Sequence, residues 1–223
     1  MRRVVRCVVA LCIGGLVRVP APLRAQDTTG LERNCESGDA KACFEVGLQA
    51  SVSRDQARAR SFYQKACDGG EGRGCSNLGT SYQEGWGVPV DRERAATLFE
   101  RGCSLGNGHG CTSLGYQHQL GRGVRQDYAR AAALYQRGCD LGDTGGCVFG
   151  YQLHAPDGPL PDSARVAALM DKACDQRRGD VCMHLGLMYD LGFRVAKDTA
   201  RANALFKKGC LFDHADACKL IRR

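Results

Sequence analysis

Aromatic side chains are scarce in this chain: Phe, Trp and Tyr make up 7% of 223 residues, with a single Trp. A core this poor in large rings has little apolar area to bury, so a further source of stability is expected. Several chemical signatures are also missing. No Cys-x-x-Cys occurs, which removes thioredoxin-like redox chemistry, c-type haem attachment and the closely spaced Cys pairs of zinc sites. Ser-x-x-Lys and Lys-Thr-Gly, the marks of a serine β-lactamase, are absent; Ser61 and Lys65 stand one residue too far apart. The five histidines, His109, His118, His154, His184 and His214, are scattered rather than clustered, so no metal and no cofactor is expected. No catalytic signature is read from the chain, and its catalytic residues stay unassigned.

What is abundant is Cys, with 14 residues, and Gly, with 29. Cys use at this level belongs to oxidising compartments. The N-terminus agrees. Arg2, Arg3 and Arg6 precede an apolar run from Cys7 to Val19, and Leu23-Arg24-Ala25 offers a small-residue cleavage site. Residues 1–25 read as a secretory signal peptide, with an uncleaved membrane anchor as the alternative. Cleavage would leave no stable membrane span and place the chain in the bacterial periplasm or outside the cell. It would also remove Cys7, Cys12 and five arginines, leaving twelve Cys and a net charge near +2. So modest a charge gives no case for nucleic-acid binding.

The twelve Cys form six pairs: Cys35 with Cys43, Cys67 with Cys75, Cys103 with Cys111, Cys139 with Cys147, Cys174 with Cys182 and Cys210 with Cys218. Seven residues separate the members of every pair, and first members recur at intervals of 32 to 36 residues. A period of that size marks a solenoid. Asp55, Asp91, Asp127, Asp162 and Asp198 each stand twelve residues before the first Cys of a pair. Asp is a good N-cap, so Asp-to-Cys reads as one helix, B, of fixed length. A second helix, A, lies between the second Cys and the next Asp. It carries Leu78-Gly79, Leu114-Gly115 or Leu185-Gly186 and ends at Gly-rich turns. Gly inside a helix is costly, so its recurrence at one phase predicts a close approach of two helices.

Two Cys eight apart on one helix would lie about 12 Å apart along the axis, beyond the roughly 7 Å that a disulfide spans. Bonding within a pair therefore demands a chain reversal. Asp-Gly-Gly-Glu-Gly-Arg-Gly, between Cys67 and Cys75, and Ser-Leu-Gly-Asn-Gly-His-Gly, between Cys103 and Cys111, permit one. So does Asp-Leu-Gly-Asp-Thr-Gly-Gly, between Cys139 and Cys147. Each bridge is expected to staple the end of one helix B to the start of the next helix A. The last two pairs are less supportive: one Gly lies between Cys174 and Cys182, and none between Cys210 and Cys218. The stack is assigned to residues 35–220, about five αα units, with 26–34 a loose tail. The first unit is short, and the fourth has an irregular turn from His154 to Pro161.

The run Cys-x7-Cys-x2-Leu-Gly-x2-Tyr-x2-Gly-x-Gly-Val-x2-Asp-x3-Ala-x2-Leu-Phe-x3-Cys, from Cys67 through Cys75 to Cys103, resembles a Sel1-like repeat. With its paired Cys the chain is similar to the Helicobacter cysteine-rich proteins. The resemblance implies an all-α fold, a right-handed αα superhelix related to tetratricopeptide repeats, with one disulfide per repeat. It also implies possible β-lactamase or penicillin-binding activity. The residues themselves favour a different use: a monomeric scaffold whose concave groove, lined by helix A, binds a protein or peptide, the ligand being cell-wall-related or a β-lactam if the resemblance holds. Tyr82, His118, His154 and Tyr189 are the ligand-groove candidates. His118 and His154, each seven residues after a second Cys, are candidate neighbours on adjacent A helices.

Overall fold

The computed structural model describes residues 23–155 and 157–221. The expected leader up to position 22, with Cys7 and Cys12, lies outside the described residues. Among those described the chain is all-α, with twelve helices and no strand. In order they are α1 (Leu23–Glu36), α2 (Ala40–Val52), α3 (Gln56–Asp68), α4 (Gly72–Glu84), α5 (Arg92–Ser104), α6 (Gly108–Leu120), α7 (Tyr128–Asp140), α8 (Thr144–Leu153), α9 (Ser163–Asp175), α10 (Gly179–Leu191), α11 (Thr199–Leu211) and α12 (Ala215–Leu220). The odd-numbered helices carry first Cys and are the B helices. The even-numbered ones carry second Cys and are the A helices. Residues 26–34, expected as a tail, lie within α1 instead. Leu31 packs on the first core cluster and Cys35 is tied to Cys43, so this segment takes the place of a B helix.

Local chemistry explains the helix starts. Asp55, Asp91, Asp127, Asp162 and Asp198 are the N-caps of α3, α5, α7, α9 and α11. Each carboxylate accepts the backbone N–H three residues on, at 2.9–3.0 Å. One such cap contributes about 1 kcal/mol. Left-handed Gly85, Gly121 and Gly192 end α4, α6 and α10.

All six bridges form as paired in the sequence. Cys35 is bonded to Cys43, Cys67 to Cys75 and Cys103 to Cys111. Cys139 is bonded to Cys147, Cys174 to Cys182 and Cys210 to Cys218. The Cα atoms within each pair stand 4.5–4.8 Å apart. Each bridge closes a B-to-A corner. Cys103 ends α5 and Cys111 lies in the first turn of α6; Cys139 ends α7 and Cys147 lies in the first turn of α8. The third residue after the first Cys takes a left-handed conformation at every corner: Gly38, Gly70, Gly106 and Gly142, then Arg177 (φ 68°) and Asp213 (φ 61°). The last two corners therefore reach the same geometry without the residue that favours it. A loop this short, closed covalently, stabilises by roughly 2–3 kcal/mol in the chain-entropy model.

The recurrent Gly of helix A meets a ring of helix B. A Cβ on Gly47 would stand 2.7 Å from Tyr63, on Gly79 2.8 Å from Phe99, on Gly115 2.9 Å from Tyr135 and on Gly186 2.5 Å from Phe206. Those four rings are buried. Successive units are also tied by polar contacts: the buried Ser76 hydroxyl donates to Asn107 Oδ1 at 2.7 Å, and Thr112 Oγ1 to Asp143 Oδ2 at 2.5 Å. Asn107 and Asp143 are the N-caps of α6 and α8, so each bond fixes where the next A helix begins.

The fourth unit exchanges large for small. Counted from Cys147, Gly150 stands where the others have Leu78, Leu114 or Leu185, and Tyr151 stands where they have Gly. Leu169 of α9 reaches into the space: a Cβ on Gly150 would be 3.0 Å from its Cδ1. Met170 replaces the ring of helix B, and Tyr151 packs against the cluster that contains both. The core accordingly divides into a part built on α2–α6, a part built on α9–α11, and Ala131, Tyr135 and Leu153 between them.

Two outcomes follow from this packing. Gly79→Ala should destabilise the oxidised protein by about 1–3 kcal/mol, because Phe99 is enclosed and cannot step aside. Asp213→Gly should stabilise it by about 0.5–1 kcal/mol, by relieving a left-handed non-Gly residue. Thermal unfolding of each variant beside the parent checks both.

Candidate binding surface

The four groove candidates occupy one position of the repeat, seven residues after the second Cys. There the backbone closes the A-to-B turn. The carbonyls of Tyr82, His118, His154 and Tyr189 accept the N–H groups of Asp91, Asp127, Asp162 and Asp198, all at 2.9 Å. The side chains face the same turn. His154 is buried and its Nδ1 lies 2.7 Å from the Leu160 carbonyl; His118 Nδ1 lies 3.1 Å from that of Arg125. Tyr82 and Tyr189 sit under the guanidiniums of Arg94 and Arg201, each 4.4 Å from the ring centre. The two histidines are thus bonded each to its own turn rather than to one another. Tyr82 and His118 do open on surface clefts of about 600 and 430 Å³, bordered by Val90 and Asp91 and by Val124 and Arg130 respectively.

A second surface is less legible from the sequence. The A helices sit closer to their successors than the B helices do: α4 touches α6, α6 touches α8 and α10 touches α12, whereas α7 and α9 make the one comparable B approach among the described residues. A stack tighter along its A row curves with that row inside. One exposed or half-exposed stripe of the A helices follows i, i+4, i+7 and i+11. On α6 it is His109, Ser113, Tyr116 and Leu120, with His118 and Gln119 half-exposed beside it at the turn end. Phe149 of α8 belongs to the same stripe and is 36% exposed. Its ring lies 5.9 Å from that of Tyr116 and 5.5 Å from that of Tyr135. Burial pushes the Tyr135 phenol well above its usual range, and the hydroxyl donates to Gln119 Oε1 at 2.5 Å. Gln117, two residues before Gln119 and fully buried, donates to Gln83 Oε1 at 2.6 Å, while its own Oε1 has no partner among the described residues. The inner face therefore presents an aromatic pair with His109 and Ser113 beside it.

The outer B face is charged and internally matched. Arg58 pairs with Glu32, Arg130 with Glu100 and Arg201 with Asp171, each acid lying on the preceding B helix. Lys172 pairs with Asp140 and Lys208 with Asp175 in a second row. The Lys172 contact holds the Asp140 carboxyl below the usual range.

One catalytic signature is in fact present. Gly102-Cys103-Ser104-Leu105-Gly106 has the Gly-x-Ser-x-Gly spacing of a nucleophile elbow. That motif works where a strand turns sharply into a helix and lifts the Ser toward a His. Here it runs out of the end of α5 into the corner closed by Cys103 and Cys111, and Ser104 Oγ donates back to the carbonyls of Glu100 and Arg101. The residues fit a corner, and no base is bonded to the hydroxyl. Among the described residues no helix is long and apolar enough to cross a membrane, and no three His, Cys, Asp or Glu stand together as a metal site would need.

Comparison with known proteins follows the same lines. The Sel1 repeat model matches residues 38–71, 72–107, 108–143 and 179–211, and omits most of the exchanged fourth unit. Over 87 residues, 39% of this chain and 28% of the relative, the chain is 34% identical to a Helicobacter pylori protein named Beta-lactamase HcpA. It is 38% identical over 88 residues to the Cytochrome c oxidase assembly factor 7A of Xenopus laevis, covering 35% of this chain and 36% of that one. The chain thus spans about a third or less of the length of these curated relatives. A solved Sel1 repeat protein from Oxalobacter formigenes superposes with a TM-score of 0.75 at 26% identity, over 90% of this chain and 59% of that one. A protective antigen of uropathogenic Escherichia coli with an SLR fold gives 0.62 at 23%, over 85% and 50%.

The turn geometry sets an expectation for His154. His154→Leu should cost about 1–3 kcal/mol, because the Leu160 carbonyl loses its partner in a part-buried turn. Chemical unfolding of the oxidised variant, with the exposed His184→Leu as control, measures it.

Proposed function

This chain belongs to the Sel1 repeat family, and from that premise we propose that it is an exported, disulfide-stapled scaffold whose inner A-helix face binds an extended peptide or protein segment. Six bridges support maturation outside the reducing cytosol. On this reading residues 1–25 are removed near Ala25 and the mature protein works as a periplasmic or secreted monomer. The observation that carries the proposal is the Tyr116–Phe149 pair, two rings left partly open to solvent in a chain that has few rings to spare. Exposed aromatics on a solenoid's inner surface offer a rigid, apolar contact at low entropic cost. Tyr82, His118, His154 and Tyr189 serve this surface as turn-fixing residues, with the clefts at Tyr82 and His118 as its margin. A β-lactamase reading is supported by the names of the Helicobacter relatives, whose match covers 39% of this chain or less. Ser104 is its one nucleophile in a recognisable spacing.

Purified, oxidised protein should bind members of an array of random twelve-residue peptides, and Phe149→Ala should weaken that binding at least ~5-fold without lowering the melting temperature. A chromogenic cephalosporin should remain intact in its presence. Turnover abolished by Ser104→Ala, with no peptide bound, would replace the scaffold reading with the hydrolase.

A further inference from the structure

Five cations named above on the B face are matched by carboxylates of the neighbouring helix, whereas Arg94 and Arg165 at the same repeat position have no such pair among the described residues. At the C-terminal ends of the A helices three arginines are set among exposed apolar side chains. Arg54, Arg122 and Arg194 are exposed, and none has a carboxylate partner among the described residues. Beside them stand exposed apolar side chains: Val52 (75% exposed) before Arg54, Leu120 before Arg122, and Leu191 and Phe193 (72% and 56%) before Arg194. Arg122 lies 5.9 Å from the Tyr116 ring centre and Arg194 4.7 Å from that of Phe193. A concavity of about 410 Å³, bordered by Leu48 and Val52, opens at the first of these ends. Arg194 moreover sits left-handed (φ 64°) where two earlier turns place Gly87 and Gly123. A solvated face would be expected to exclude such large apolar groups, and a buried one to pair such cations.

We propose that this edge of the inner surface selects an extended peptide in which acidic residues alternate with aliphatic or aromatic ones. Its carboxylates would meet Arg54, Arg122 and Arg194, and its apolar side chains Val52, Leu120, Leu191 and Phe193. The inference rests on the peptide-binding reading above and adds the ligand's charge and spacing. The three arginines lie on the first, third and fifth units. Adjacent helices pack about 8–10 Å apart and an extended chain rises about 3.3 Å per residue. One unit therefore corresponds to about three ligand residues and the two-unit step between successive arginines to about six, so every second acid of a three-residue repeat would meet an arginine. Guanidinium–carboxylate pairing at an exposed edge is screened by salt, so binding should weaken as salt is raised.

The test uses the full oxidised chain and three fluorescein-labelled sixteen-residue peptides read by anisotropy. One has Glu at every third position among Leu and Phe, and the others carry Gln or Lys in place of Glu. The Glu peptide should bind at least ~10-fold more tightly than the Gln peptide, and the Lys peptide more weakly still. Combining Arg54→Gln, Arg122→Gln and Arg194→Gln should erase the preference for Glu, while Lys208→Gln on the B face should leave it. Equal or better binding of the Gln or Lys peptide, or a preference that survives the triple substitution, overturns the acidic ligand. It does so without touching the peptide-binding reading, provided Phe149→Ala still weakens whichever peptide binds. Failure of all three peptides and of the random array would sink both.

Discussion

The bond between Cys residues eight apart sets the geometry on which everything else in this protein depends. It turns a flexible junction between two helices into a corner with fixed ends. Because each corner repeats the same left-handed residue at the same place, every unit leaves the corner in nearly the same direction. The helix pairs then superimpose a small rotation again and again, and a curved stack results. The glycine-to-ring contact works on the other side of each hairpin. It lets helix A approach helix B until an aromatic ring lies against bare backbone. With so few rings available, one per hairpin placed at its closest point accounts for much of the core.

The fourth unit shows that this contact is a rule about volume rather than about Gly. Moving the small residue one place back, putting Tyr151 in its former position and thinning the facing ring to Met170 leaves the total nearly conserved. Volume-conserving exchanges are the kind that cores tolerate. The exchange has a price in continuity. The buried clusters on either side of Tyr135 and Leu153 no longer merge into one.

Much of this architecture was legible in the sequence because its causes are local. An Asp cap acts over three residues and a disulfide corner over eight, so their spacing reports helix lengths and reversals directly. The reversals from Cys103 to Cys111 and from Cys139 to Cys147 were readable from their glycines, and the bridges close there. The segment 26–34 was misjudged for the opposite reason: its order comes from Leu31 packing on α2 and α3 and from Cys35, not from a cap or a period of its own. His118 and His154 were seen to share one repeat position, which Tyr82 and Tyr189 also occupy; the His side chains meet carbonyls of the A-to-B turn and the Tyr rings meet guanidiniums of the following B helix, which no helical wheel displays. The motif at Ser104 was overlooked, and the corner it occupies depends on tertiary context. One signal was available and went unused. Asp is followed three places later by Arg in all five B helices, and that Arg reaches an acid on the previous B helix in three of them.

Bridges confined to eight-residue intervals have a consequence for how the protein is made. Partners lie close together along the chain, so oxidation can proceed unit by unit, each clasp closing before the next unit has folded. No cysteine has to wait for a distant mate, and mispairing between units must compete against a far shorter search. Genes built this way can lose or duplicate whole segments by recombination without orphaning a thiol, because every A–B unit brings one Cys for the bridge before it and one for the bridge after it.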